Sequence, residues 1–229
     1  MRYQAIALDY DGTIARNGEV PLVVSNGLRR LRESGRRLLL VTGRQLENLL
    51  EIFPDARIFD RIVAENGGLL YQPDLGRLHE LGERPPQVLV KALKGTGIPL
   101  TIGHVILATV RPYEVVVLEC IANLGLEQQV IFNKGAVMVL PPGCNKASGL
   151  KVALSELGIS PSNVVAVGDG ENDHAMLEFA DYSVATANAV PALKDTADFV
   201  TKASHGEGVL EVVNALIHSD LAVFTRTDS

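Results

Sequence analysis

Tryptophan is absent from this 229-residue chain, aromatic residues make up 5% of it, and only two cysteines occur, Cys120 and Cys144. Two thiols are too few for a disulfide framework or a cysteine-ligated metal cluster. Free thiols in a reducing compartment are the simple reading, and the expected location is cytoplasmic. No apolar run approaches the roughly 18 residues that a membrane-spanning helix needs, so no membrane partner is expected. The N-terminus runs straight into a strand-like segment, without the charged region, apolar stretch and cleavage site of a secretion signal. A basic excess is missing too: the formal net charge is −6, which argues against nucleic acid as a general partner. It does not argue against phosphate esters, because one divalent cation reverses the local sign. What the chain does have is 47% hydrophobic and 21% charged residues. That is enough to bury a full-sized core, either as one large domain or as a core with a smaller insert.

Short apolar runs alternate with stretches of helical period, the pattern of a parallel sheet with crossover helices. Strands are expected at Ala5–Leu8, Arg37–Val41, Arg61–Ala64, Val164–Val167 and Tyr182–Val184. Helices are expected at Val23–Ser34 (with Val24, Leu28 and Leu31 on one face and Gly35 closing the C-terminal end), Gln45–Ile52, Lys146–Leu157, Asn172–Phe179 and Gly208–Ile217. Glu65-Asn66-Gly67-Gly68 leads into a hairpin through Tyr71. The middle of the chain differs. Helical patterns at Pro85–Lys94 and Tyr113–Leu124, a strand at His104–Val110, and a hairpin of Gln129–Phe132 with Ala136–Leu140 lie between Pro85-Pro86 and Pro141-Pro142-Gly143. These prolines interrupt helix and sheet alike. The expected fold class is therefore α/β, with a Rossmann-like three-layer parallel-sheet core in residues 1–81 and 143–220. Residues 82–142 form a small inserted α/β unit, and the tail, 221–229, is read as disordered or as the start of a linker.

Four polar segments follow apolar strands or open the helix leading to the next, where open α/β sheets bind ligands. They are Asp9-Tyr10-Asp11-Gly12-Thr13, Thr42-Gly43-Arg44, Lys146, and Gly168-Asp169-Gly170-Glu171-Asn172-Asp173. Each alone is ordinary: a turn, a helix cap, a surface lysine, an Asp/Gly/Asn loop. The last also resembles part of a calcium loop, but Ala180 stands where that loop needs its twelfth-position Glu. Together, in this order and at one sheet edge, they make a phosphoryl-transfer set. A carboxylate at Asp9, with a reference pKa of about 3.9, is ionised at neutral pH and needs no base to act as nucleophile. Asp169 and Asp173 complete a hard-oxygen set suited to Mg2+. Lys146 adds a second cation, Thr42 a hydroxyl, and Gly43 room for backbone N–H groups to approach phosphate. Asp11 is placed to protonate a leaving alkoxide and then to activate water.

These segments resemble the four motifs of the haloacid dehalogenase superfamily of phosphohydrolases. The run Gly168–Asp173 with Met176, and Ala64-Glu65-Asn66-Gly67-Gly68 ahead of an insert, are similar to its Cof-type branch, subfamily IIB. The resemblance covers the chain up to about Ile217. It implies Asp9 as nucleophile, Asp11 as general acid/base, and phosphate binding by Thr42 and Lys146. It also implies Mg2+ held by Asp9, Asp169, Asp173 and the backbone carbonyl of Asp11, with Asn172 supporting the phosphate or metal shell. The insert would be a cap that selects the substrate. Its length and layout are nearer to archaeal-type phosphoglycolate phosphatases than to larger sugar-phosphate phosphatases. The expected activity is hydrolysis of a small phosphorylated metabolite, of the phosphoglycolate or sugar phosphate class, through an aspartyl-phosphate. A phosphotransferase or phosphomutase of the same superfamily and a regulatory phosphate-binding module are the alternatives. Arg111 and Lys134 are the candidate cap contacts to an anionic substrate. Arg44 either approaches the site or faces water, Glu65 and Asn66 shape a loop beside it, and His174 faces solvent. Oligomeric state is not legible.

Overall fold

The computed structural model describes residues 1–222, and their order of elements follows from where the chain can bury both faces of a strand or only one. The first half runs β1 (Ala5–Leu8), α1 (Leu22–Glu33), β2 (Arg37–Val41), α2 (Leu46–Ile52) and β3 (Arg61–Ala64). A tight turn at 65–68 then reverses the chain into β4 (Leu69–Gln72) and β5 (Arg77–Glu80). The middle holds α3 (Gln87–Gly95), β6 (Thr101–Ile102), β7 (Leu107–Val110), α4 (Glu114–Asn123), β8 (Gln129–Asn133) and β9 (Ala136–Leu140). The chain returns through α5 (Lys146–Leu157), β10 (Val164–Gly168), α6 (His174–Phe179), β11 (Tyr182–Ala185), α7 (Pro191–Thr196), β12 (Phe199–Val200) and α8 (His205–Ser219).

Two sheets result. The larger has the order β12-β11-β10-β1-β2-β3-β4-β5, parallel from β12 to β3 and antiparallel through the last two strands. Successive side chains of a strand point to opposite faces, and the packing records this. Ile6, Leu8, Leu38, Leu40, Val165 and Val167 join one core with Val24, Leu28 and Leu31 of α1 and Val209, Val212 and Leu216 of α8. Ala5, Ala7, Leu39, Val41, Val164 and Ala166 join another with Leu150 and Leu154 of α5, Met176 and Leu177 of α6, and Leu193 of α7. Strands buried on both faces read as unbroken apolar runs, which is why these were legible. The expected three-layer α/β class is what the molecule has.

The second sheet, β6-β7-β9-β8, is antiparallel. Val137 and Val139 of β9 and Leu107 of β7 pack with Leu89 and Leu93 of α3 and Val117 and Ile121 of α4. The alternate residues Met138 and Leu140 belong instead to the main core, with Ala108 and Ile131 packed against it. One face of this sheet is thus roofed by two helices, and the other rests on the larger unit. Among the described residues, no helix is long and apolar enough to cross a membrane.

Several elements differ from the sequence reading. Strand β5 was not expected because all four of its residues are exposed and carry no apolar pattern. The short α7 and β12 fell below the length at which a period shows. Helix α8 begins at His205 rather than Gly208, the early glycines masking its start. Gly206 is there because a Cβ would collide with Val24 of α1. Leu221, which the sequence reading assigned to the tail, is buried at 4% exposure and joins the main core. The rest of that expectation, at 223–229, lies outside the described residues.

Candidate active site

The C-terminal ends of β1, β2 and β10 and the start of α5 converge, as their places in the sheet order require. Asp9 follows β1 directly, and its N–H donates to Val167 O of β10 at 3.0 Å. Gly12 has φ +88, and a Cβ there would run into the Asp169 carboxylate and Lys134 Nζ; only glycine lets the chain pass. Asp9, Asp169 and Asp173 are buried and offer carboxylate oxygens that all lie within 4.8 Å of one another. Lys146 is fully buried among them. Its Nζ donates to Asp9 Oδ1 and, at 2.6 Å, to Asp173 Oδ1. It is delivered by the first turn of α5, where Asn145 and Ser148 form a reciprocal cap at 3.0 Å in both directions. Gly149 brings that helix against Gly67, where any side chain would clash.

The loop after β10 is tied by Asp173, whose Oδ2 accepts the N–H groups of Asp169 (3.0 Å) and Gly170 (2.9 Å). Asp173 Oδ1 is therefore the oxygen left to face the cluster. Asp169 accepts Thr13 Oγ1 at 3.2 Å, Asn188 Nδ2 at 2.8 Å and Lys134 Nζ. Three carboxylates against two ammonium groups leave negative charge in excess. Burial, then repulsion from Asp173, pushes the Asp9 carboxyl well above its ordinary value in spite of Lys146. Burial likewise raises Asp169, with Lys134 pulling the other way. For Lys146, burial opposes the charge, but Asp173 and Asp9 outweigh it and hold the ammonium protonated. Buried carboxylates short of positive charge suit a hard divalent cation.

The Thr42–Arg44 loop lies alongside. Thr42 is fully buried, and its Oγ1 accepts the Arg44 N–H at 3.1 Å. Gly43 faces the second sheet, a Cβ there lying 3.3 Å from Met138 Sδ. Asn172 Nδ2 donates to Asn66 Oδ1 at 2.9 Å and leaves its own Oδ1 buried without a partner. Asp11 is turned toward Arg44, which grips it at both oxygens, 2.6 and 2.7 Å, while also bonding Asn48 and lying over the Tyr10 ring. Of the two readings of Arg44, the one that approaches the site holds. Lys134 reaches Asp169 from the second sheet, whereas the Arg111 guanidinium lies over the Phe132 ring at 5.5 Å. His174 opens α6 outside the carboxylate cluster.

Two residues that the sequence reading missed or undervalued stand out. Asn188, after β11, joins Asp169 to the Gly12 carbonyl (2.8 Å). Its position at another strand end was the available signal. Glu65 is fully buried at φ +51 and does more than shape a loop. Its carboxylate accepts the N–H groups of His104 (3.0 Å), Val105 (2.7 Å) and Ile106 (3.0 Å), where the chain enters β7. Its own N–H donates to Arg44 O, and that of Asn66 to Thr42 O. Through its side chain on one side and its backbone on the other, Glu65 thereby fastens the second sheet to the Thr42–Arg44 loop. Glu65→Ala strands three donors, two of them buried, and since each unsatisfied buried group costs about 1–3 kcal/mol, a loss of at least about 2 kcal/mol in urea denaturation is expected. A loss below about 0.5 kcal/mol would show that water replaces the carboxylate freely.

Comparison with known proteins completes the picture. A sequence model of the haloacid dehalogenase-like hydrolases matches residues 6–82 and 131–213. A phosphoglycolate phosphatase of Methanothermobacter thermautotrophicus is 34% identical over 220 residues, covering 92% of this chain and 97% of its own. One of Haloarcula marismortui is 31% identical, covering 91% and 95%. The crystal structure of a haloacid dehalogenase-like hydrolase from Bacteroides thetaiotaomicron superposes with a TM-score of 0.82 at 23% identity, covering 93% of this chain and 99% of that one. A Thermoplasma acidophilum structure gives 0.76 at 16% identity, covering 93% and 97%. These two likenesses speak for the fold.

Proposed function

This chain belongs to the haloacid dehalogenase-like hydrolases and is a phosphatase, and within that family we propose that it uses Mg2+ and an aspartyl-phosphate on Asp9 to hydrolyse a small phosphorylated carboxylate of the phosphoglycolate class. The observation that carries the reading is the buried trio Asp9, Asp169 and Asp173 with Lys146 between two of them. Hydrolases of this family generally use a divalent metal, and the donor set fits one. It is all oxygen, buried and short of positive charge. Asp9, Asp169, Asp173 Oδ1 and the Asp11 carbonyl would hold the ion. When bound, Mg2+ supplies the charge that offsets repulsion between a carboxylate nucleophile and a phosphate dianion.

The residues of the chain do the rest. The Asp9 carboxylate attacks phosphorus, forming the acyl phosphate as the ester oxygen leaves with a proton from Asp11. A water that gives its proton to Asp11 then cleaves the acyl phosphate and frees inorganic phosphate. Lys146 and the Thr42 hydroxyl bind phosphate oxygens, Gly43 offers its N–H, and Asn172 holds the edge of the site. Arg44 orients Asp11 in the resting enzyme. Residues 82–142 act as a cap, resting one sheet face on the core and excluding water when substrate is in place. The substrate class is supported by relatives named as phosphoglycolate phosphatases, whose sequences align with this chain along more than nine-tenths of its length.

The test is release of inorganic phosphate from 2-phosphoglycolate, from hexose phosphates and from p-nitrophenyl phosphate. Activity is expected to cease in EDTA, to return with Mg2+, and to return poorly with Ca2+, whose looser coordination spoils in-line geometry. Undiminished turnover in EDTA contradicts the metal assignment. A preference for hexose phosphates over 2-phosphoglycolate removes the substrate class.

A further inference from the structure

The turn Asn133-Lys134-Gly135 at the tip of the β8–β9 hairpin is the part of the second sheet set down on the loop that follows β10. Lys134 has left-handed backbone, φ +45, followed by Gly135 at φ +92. Its N–H donates to Glu171 Oε2 at 3.2 Å. Asn133 presses on Gly170, where a Cβ would strike its Oδ1. The Lys134 side chain, 41% exposed, then reaches over the turn and puts Nζ on Asp169 Oδ2. It does not share the fate of the other cations. Lys146 is fully buried with two partners, and Arg44 is committed at both ends of Asp11. Lys134 holds a single carboxylate, and that carboxylate belongs to the trio suited to a metal ion.

We propose that Lys134 is a handed-over specificity residue: it rests on Asp169 until a divalent cation claims that carboxylate, and is then free to bind the carboxylate of the substrate beyond its phosphate. The proposal rests on the phosphatase reading above. Its physical basis is competition. Asp169 Oδ2 already accepts Asn188 Nδ2 and Lys134 Nζ, and a doubly charged ion at the trio displaces the more exposed of two cationic or donor groups. The released ammonium remains tethered over the site by the Glu171 contact of its own backbone. There it is a strongly hydrated point charge on a flexible stem, suited to a small anion whose distance from the phosphate is short. Reading and metal loading are thereby linked: each metal ion bound makes one substrate-binding cation available.

Two measurements on the full chain test this. In the first, Mn2+ binding without substrate is followed by electron paramagnetic resonance. Lys134→Met, which removes the competitor, is expected to bind Mn2+ at least about fivefold more tightly than wild type, and Lys134→Arg to restore the wild-type value. In the second, at saturating Mg2+, Lys134→Met is expected to lower kcat/KM for 2-phosphoglycolate about tenfold or more relative to kcat/KM for p-nitrophenyl phosphate, which lacks the second anion. An unchanged or weaker Mn2+ affinity overturns the competition, and an unchanged ratio overturns the reading of substrate. A wild-type protein inactive on both esters would instead sink the phosphatase reading, with the Mn2+ titration still deciding the competition.

Discussion

Asp9→Asn is expected to leave a folded protein that turns over at least about 10^4-fold more slowly, a loss of about 5 kcal/mol in barrier terms. The amide that replaces the carboxylate has no anionic oxygen to form a bond to phosphorus, and nothing else at the end of β1 stands in for it. Asp11, two residues on, is gripped by Arg44 at both oxygens, and Asp173 has one oxygen spent on backbone N–H groups. The fold should survive because Lys146 keeps its bond to Asp173, and because a neutral group relieves both the burial cost and the repulsion from Asp173 that raise the Asp9 carboxyl. An unfolding free energy from urea denaturation within about 1 kcal/mol of wild type is therefore expected. Rapid-quench detection of a phosphorylated protein in wild type and its absence in Asp9→Asn is the direct measurement. Activity within tenfold of wild type would end the covalent assignment.

Lys146→Met is expected to damage both stability and rate. Its ammonium is wholly buried between Asp9 and Asp173, so removing it leaves two carboxylates facing each other without solvent. Breaking one side of a buried ion pair costs about 3–5 kcal/mol, and that loss is expected in urea denaturation in EDTA at neutral pH. Part of it should return on adding Mg2+, because a cation at the trio neutralises the same oxygens. Turnover should fall about 10^2- to 10^3-fold even with saturating metal, the scale for losing one preorganised charge at a reaction centre. A loss of less than about 1 kcal/mol in EDTA would mean that the trio is not ionised in the resting protein, and the charge account of the site would fall with it.

Why these two residues could be picked from the sequence, and others could not, follows from how far apart their partners lie along the chain. Asp9, Thr42, Lys146 and the Gly168–Asp173 run each announce themselves locally, as polar residues at the end of an unbroken apolar strand or the start of a capped helix. A topology in which β10, β1 and β2 are neighbours then gathers them. The pairing of Arg44 with Asp11, and of Lys134 with Asp169, depends on side-chain reach across loops, and no spacing encodes it. Glu65 was visible as a residue beside the pocket, but its three N–H partners lie about 40 residues further on. Its role depends on how one unit is set upon the other. Likewise β5 lacks every signal of a strand because sequence patterning reports burial, and Arg77, Leu78, His79 and Glu80 bury little.

That same strand determines how the larger sheet ends. An unpaired edge offers a row of backbone groups on which another chain can add. At one side the sheet stops with β12, only two residues long, too short a template to seat a neighbour. At the other it stops with β5, where two basic-capable side chains and a glutamate ride on an exposed ribbon, and Glu80 is further bound to Arg84 and His104. A stray strand approaching that border would have to strip water from these charges before gaining a hydrogen bond. The two margins of the eight-stranded sheet are thus poor templates for growth by strand addition.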